Sequence, residues 1–175
     1  MSLDIDTLAA AVVTQLNAAS TANVFAPSTF TCEFNDTPLF DIEDLVDLKV
    51  TILPFRFSPS PGKSMPGQRQ PRQFRGMSEY QYVLSLGFQK LGPNGPPATG
   101  VDPIRAFSAT MRKLVQNVIR FLSNEDNKRP ITQAAGQGLW LKTLEVPELY
   151  DVMALKNERI FKSFSVLTYE EYVRE

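Results

Sequence analysis

The sequence contains no histidine. That removes the commonest general base, zinc ligand and activator of a nucleophile in one stroke. It also has no Gly-x-Ser-x-Gly elbow, no phosphate loop ending in Gly-Lys-Ser/Thr and no Gly-x-Gly-x-x-Gly fingerprint. The adjacent acids Glu170 and Glu171 sit beside a terminal strand pattern, which predicts a surface pair rather than a glycosidase-type couple. Cys32 is the single cysteine, so no intrachain disulfide can form. It falls between Phe30 and Phe34 in an i, i+2, i+4 apolar set with no basic neighbour, the setting of a buried and inert thiol. Trp140, the single tryptophan, is expected to anchor a core or an interface. These residues predict a protein that is not an enzyme, with no catalytic residue, no cofactor and no metal.

The side chains suited to recognition are charged and segregated. Residues 35–47 hold Asp36, Asp41, Glu43, Asp44 and Asp47 with no lysine or arginine. A calcium loop needs oxygens at closely set positions around a tight glycine turn, and no glycine is present here. The expected role is a solvated or partner-facing acidic surface. Between Lys49 and Ser78 stand six cations and no acid, +6 against a chain total of −1, which leaves −7 elsewhere. Within that stretch Lys63, Arg69, Arg72, Phe74 and Arg75 suit an arm that orders on a partner, since arginine pairs well with carboxylates and carbonyls. The alternative is a nucleic-acid-binding module that uses 63–75, although only Phe74 supplies a stacking group.

Several elements must position these groups. The stretch YQYVLSLGFQKL, Tyr80–Leu91, alternates Tyr80, Tyr82, Leu84, Leu86 and Phe88 with smaller or polar residues. That period of two predicts a long half-buried strand. Before it, residues 4–19 carry apolar residues at helical spacing behind Ser2 or Asp4 as a cap, and Phe30–Phe34 predicts a short strand. In the acidic segment, Leu39, Ile42, Leu45 and Val46 can pin a loop or a single helical turn. Leu48–Phe57 predicts a second strand in which Pro54 marks an edge position or a bulge. Residues 58–76, with four prolines and three glycines, exclude regular structure and predict a long loop at the tip of a hairpin. After the turn-rich 92–100, Asp102-Pro103 opens a helix running to about Leu122. Its stripe of Ile104, Phe107, Met111, Leu114, Val115, Val118 and Leu122 is expected to cover the Tyr80–Phe88 face. A polar link (124–138), a strand (139–146), a short helix opened by Pro147 and a closing strand (159–169) follow, with the charged tail EEYVRE beyond.

At 175 residues the chain fits one domain, 1–175, able to bury roughly 70% of its unfolded surface. Its near-neutral charge excludes whole-molecule attraction to nucleic acid or membrane. No run of about 18 apolar residues exists, and the N-terminus has acids where a signal peptide has lysines. Synthesis in the cytoplasm, with no membrane partner, is the expectation. The fold class expected is α+β, a mixed, mostly antiparallel sheet with helices packed on it.

The order of elements, together with three local stretches, resembles the tail-terminator and neck proteins of tailed bacteriophages. LVDLKVTILP (Leu45–Pro54) is similar to that family's approach to its second strand, and Tyr80–Leu91 to its long central strand. FKSFSVLTY (Phe161–Tyr169) is similar to its closing strand, with a Phe-x-Ser opening and a Leu-Thr-Tyr end. The resemblance implies a virion structural protein, a homo-oligomeric ring that is typically a hexamer. Such a ring caps the tail tube, stops its growth and joins it to the head through a neck or connector protein. It covers neither the 58–76 insertion nor the 124–138 link. On this reading the acidic segment of one subunit is expected to face the basic stretch of its neighbour. The arm would engage the tail tube protein or the neck protein, with DNA in the lumen as the alternative.

Overall fold

The computed structural model describes residues 3–35, 40–59, 77–94, 102–131 and 138–174. In chain order these form α1 (Ile5–Thr21), β1 (Cys32–Phe34), a 3-10 turn (Ile42–Val46), β2 (Lys49–Pro59) and β3 (Met77–Leu91). Then come α2 (Pro103–Ser123), a second 3-10 turn (Glu125–Asn127), β4 (Gly138–Glu148), α3 (Val152–Glu158) and β5 (Ile160–Arg174). The strands make one sheet in the order β1-β2-β3-β5-β4. β1 and β2 run parallel and each remaining neighbouring pair is antiparallel. The class is therefore α+β, a mixed, mostly antiparallel sheet with helices packed on it.

Each helix begins where the sequence supplies an acceptor for its unpaired N–H groups. Asp4 accepts from the Asp6 N–H, Asp102 from the Ile104 N–H and Asp151 from the Ala154 N–H. Pro103 opens α2 just inside that cap, where a missing N–H costs nothing.

The alternation in β3 decides the faces. Tyr82, Leu84, Leu86 and Phe88 are fully buried and register with Tyr169, Leu167, Ser165 and Ser163 of β5. Odd-numbered β5 residues thus share the helix-covered face with even-numbered β3 residues. α1 approaches β1 and β2, while α2 approaches β4 and β5. Leu8, Val12 and Leu16 from α1 join Met111, Leu114, Val115, Val118 and Leu122 from α2 in one core. The stripe of the 103–122 helix covers this face as expected, and α1 shares the covering: β3 lies between the strands that the two helices approach.

The second face carries Thr51, Val83, Ser85, Gly87, Val166 and Thr168, small or β-branched residues that need no thick covering layer. At Gly87 a Cβ would come within 3.0 Å of the Phe164 ring and of Thr51 Oγ1. Glycine there lets the aromatic ring lie flat across the neighbouring strand. Pro54 behaves as its chemistry requires: the β2–β3 register shifts between Pro54 and Arg56, a bulge that leaves Phe55 exposed at 77%.

Three boundaries differ from expectation. Pro147 does not open a helix; it sits in the last turn of β4, where the register with β5 slips between Glu145 and Glu148. An edge strand tolerates the missing donor, and Asp151, a better cap, starts α3 instead. The tail EEYVRE does not trail beyond the last strand. β5 runs through it to Arg174, paired with β3 on one side and β4 on the other. Glu170 and Glu171, expected at the surface, are 2% and 1% exposed; a central strand has no free edge, so both acids are drawn inside.

Candidate assembly surface

The acidic segment becomes a short turn held by one side chain. Leu45 is buried at 1% exposure, whereas Asp41, Glu43, Asp44 and Asp47 are exposed. Asp41 stands at the start of the turn, but its carboxylate caps no N–H there; the Asp44 N–H bonds instead to the Asp41 carbonyl at 3.0 Å. The acids are therefore not spent on the backbone. Of the apolar residues expected to pin the segment, Ile42 and Val46 are 61% and 65% exposed. Leu39 and Asp36 lie outside the described residues. The turn contacts β3. Leu45 stands apart from the core under the helices, and Thr51 and Gln89 of the second face are buried. Together these place the turn over the second face, at the Lys49 end of the β2–β3 hairpin.

The basic stretch lies toward the other end of that hairpin. Arg56 is exposed on β2. The arm leaves β2 after Pro59 and rejoins the sheet at Met77. Lys63, Arg69, Arg72, Phe74 and Arg75 all fall in 60–76, outside the described residues. Ten steps along β2 separate its two ends, roughly 33 Å at strand spacing. Beside the root of the arm Phe57 is 46% exposed, with its ring 5.6 Å from Tyr80 and 5.1 Å from Tyr82.

A third cluster was not foreseen. Along the outer side of β4, Glu125, Lys128, Arg129, Trp140, Leu141 and Lys142 line a recess of about 380 Å3. The Leu141 N–H donates to the Lys128 carbonyl at 2.8 Å, which ties the link after α2 to the strand. Gln15 Nε2 reaches the Asn127 carbonyl at 2.9 Å, and Asn127 Nδ2 the Phe121 carbonyl at 2.9 Å. Lys128 pairs with Glu125 and Lys142 with Glu170. The bond to Glu170 raises the Lys142 ammonium above its ordinary range. Trp140 stacks on Tyr172 at 4.8 Å and stays half-exposed, outside the core. The sequence signal was present in Lys128-Arg129 and Lys142. It was hidden because 14 positions separate Lys128 from Lys142 in the sequence, and only the bond from the Leu141 N–H to the Lys128 carbonyl brings them together.

Two internal sites complete the picture. The buried Glu171 carboxylate accepts from the Leu3 N–H at 3.0 Å and from the Tyr82 hydroxyl, tying the start of α1 to the end of β5. Burial, and then this bond, push the Tyr82 phenol upward. Cys32 is buried as expected, and burial followed by the Glu33 charge pushes its thiol up to about 12, far from a reactive thiolate. Among the described residues no group of three or more cysteines and acids could hold a metal ion. Among them, too, no helix is long and apolar enough to cross a membrane. No protein-family model matches the chain, and no curated protein is detectably similar to it in sequence.

Proposed function

We propose that the chain is a structural virion protein, a tail-terminator or neck subunit whose copies form a ring, hexameric in the family it resembles. That ring caps a bacteriophage tail tube and joins it to the head, after assembly in the host cytoplasm. The observation that carries the reading is the placement of opposite charges on one rigid hairpin. An acidic turn without cations sits at one end, and a basic arm is rooted at the other, roughly 33 Å away. A heterologous contact between copies gives the acidic turn a cationic partner on its neighbour, and closes into a ring when the rotation permits. The reading needs no catalytic group, cofactor or metal. It assigns Asp36, Asp41, Glu43 and Asp44 to contacts between subunits, and Lys63, Arg69, Arg72, Phe74 and Arg75 to contacts with the tube or neck protein.

Replacing Asp41, Glu43 and Asp44 together by lysine tests it. Like charges brought together across an interface cost several kcal/mol, so sedimentation should show the ring lost. An unchanged assembly in low salt removes the acidic turn from the contact. The second reading, nucleic-acid binding by 63–75, rests on the +6 stretch. It requires a dissociation constant for duplex DNA that climbs steeply with salt.

A further inference from the structure

We propose that the recess beside β4 receives the acidic turn of a neighbouring copy. This deepens the ring reading and rests on it. The recess offers Arg129, exposed and, among the described residues, in no ion pair, flanked by Lys128 and Lys142. Its lining carries three cations, of which Lys128 and Lys142 are matched by Glu125 and Glu170 and Arg129 is left over, and the half-exposed Trp140 gives it an apolar wall. The turn offers the complement: Asp41, Glu43, Asp44 and Asp47 without a cation, and between them the exposed Ile42 and Val46. Those two apolar side chains, four residues apart on a short turn, are buried by no packing partner among the described residues. An acidic knob with an apolar tip thus meets a recess with one free cation among the described residues and an apolar wall.

The two cannot meet within one chain. β3, against which the turn packs, is two strands from β4 in the sheet order. Trp140 registers with Glu170 and so with Gln81 of β3, eight residues from Gln89 at the turn's end of that strand. That is roughly 26 Å along the strand alone. The partner must be another molecule. A second copy is favoured over nucleic acid because Glu125 and Glu170 already engage Lys128 and Lys142, leaving a single unpaired cation where a phosphate backbone needs several.

The full-length chain carrying Ile42→Cys and Arg129→Cys tests the contact. Both positions are exposed, so the fold tolerates the changes, and Cys32 is buried out of reach. Mild oxidation should give a ladder of disulfide-linked oligomers ending at the ring, with no ladder from either single variant. In parallel, Asp44→Arg should weaken association tenfold or more, and adding Arg129→Glu should restore most of it. A wild-type ring with no ladder and no effect of the reversals overturns this contact and leaves the ring reading standing; rescue by reversals at Arg69 and Arg72 would instead give the acidic turn to the arm. Linked dimers alone would keep the contact and overturn the ring. A wild type that stays monomeric at every concentration overturns both. If Arg129→Glu weakens duplex DNA binding and leaves assembly unchanged, the recess is a nucleic-acid site and the proposal fails.

Discussion

The two faces of the sheet obey different rules. Under the helices, four consecutive same-face positions of β3 are fully buried and apolar, and the acid among them, Glu171, is held by two donors. On the second face many side chains are small or β-branched, with the Trp140–Tyr172 stack toward one end, and among the described residues the acidic turn and the Phe164 ring lie over them. The first face holds the fold together. The second face and its flanks are left to do something else, because cations and carboxylates gain little stability from one another at a wet surface.

The contrast can be broken by substitution. Leu86→Ala on the helix face should cost about 2–5 kcal/mol in a denaturant titration, since Leu86 is fully buried beneath two helices. Glu171→Ala should cost about 1–3 kcal/mol, because it strands the Leu3 N–H and leaves the Tyr82 hydroxyl with the Leu3 carbonyl alone as acceptor. A smaller effect appears with pH. Cys32, Tyr82 and Tyr169 all titrate higher when folded than their ordinary values. The unfolded chain therefore binds fewer protons above pH 9, so stability is full below that pH and falls as the pH rises toward 12. Cys32→Ala should flatten the first part of that slope; a stability that rises between pH 9 and 12 contradicts the assignment. On the second face Gln81→Ala should cost less than about 1 kcal/mol, whereas Lys142→Ala should cost more, because it leaves the buried Glu170 carboxylate without its cation. Equal losses at Leu86 and Gln81 would erase the distinction between the faces. Smallest of all, replacing 60–74 by a short Gly-Ser linker should leave the melting temperature nearly unchanged, since loop length contributes slowly to stability. It should nonetheless abolish attachment to the tube or neck protein. Complete infectious particles from the shortened chain would make the arm a spacer.

Much of the architecture was legible because it is written in local chemistry. The period of two in Tyr80–Leu91, the Asp102-Pro103 start and the proline bulge in β2 each follow from backbone physics. What escaped depended on neighbours distant in sequence. The tail EEYVRE is polar in isolation, and only pairing with β3 and β4 on both sides turns it into a central strand with buried Glu170 and Glu171. Pro147 signals a helix start as readily as a strand end, and the better cap at Asp151 decided between them. Of the residues proposed for assembly, Asp41, Glu43 and Asp44 were visible as an acidic run. Arg129 and Lys142 were not, because a strand register rather than a motif makes them neighbours.

The central claim is that this domain builds a ring from unlike patches. The most direct measurement is the mass of the purified full-length protein in solution, taken by sedimentation, with negative-stain images of the same sample alone and mixed with tail tube protein. The account predicts a closed ring with a central hole that caps tube ends, and its loss when Asp41, Glu43 and Asp44 become lysine. A monomer that forms no ring alone or on tubes, and that shifts labelled duplex DNA, would contradict it.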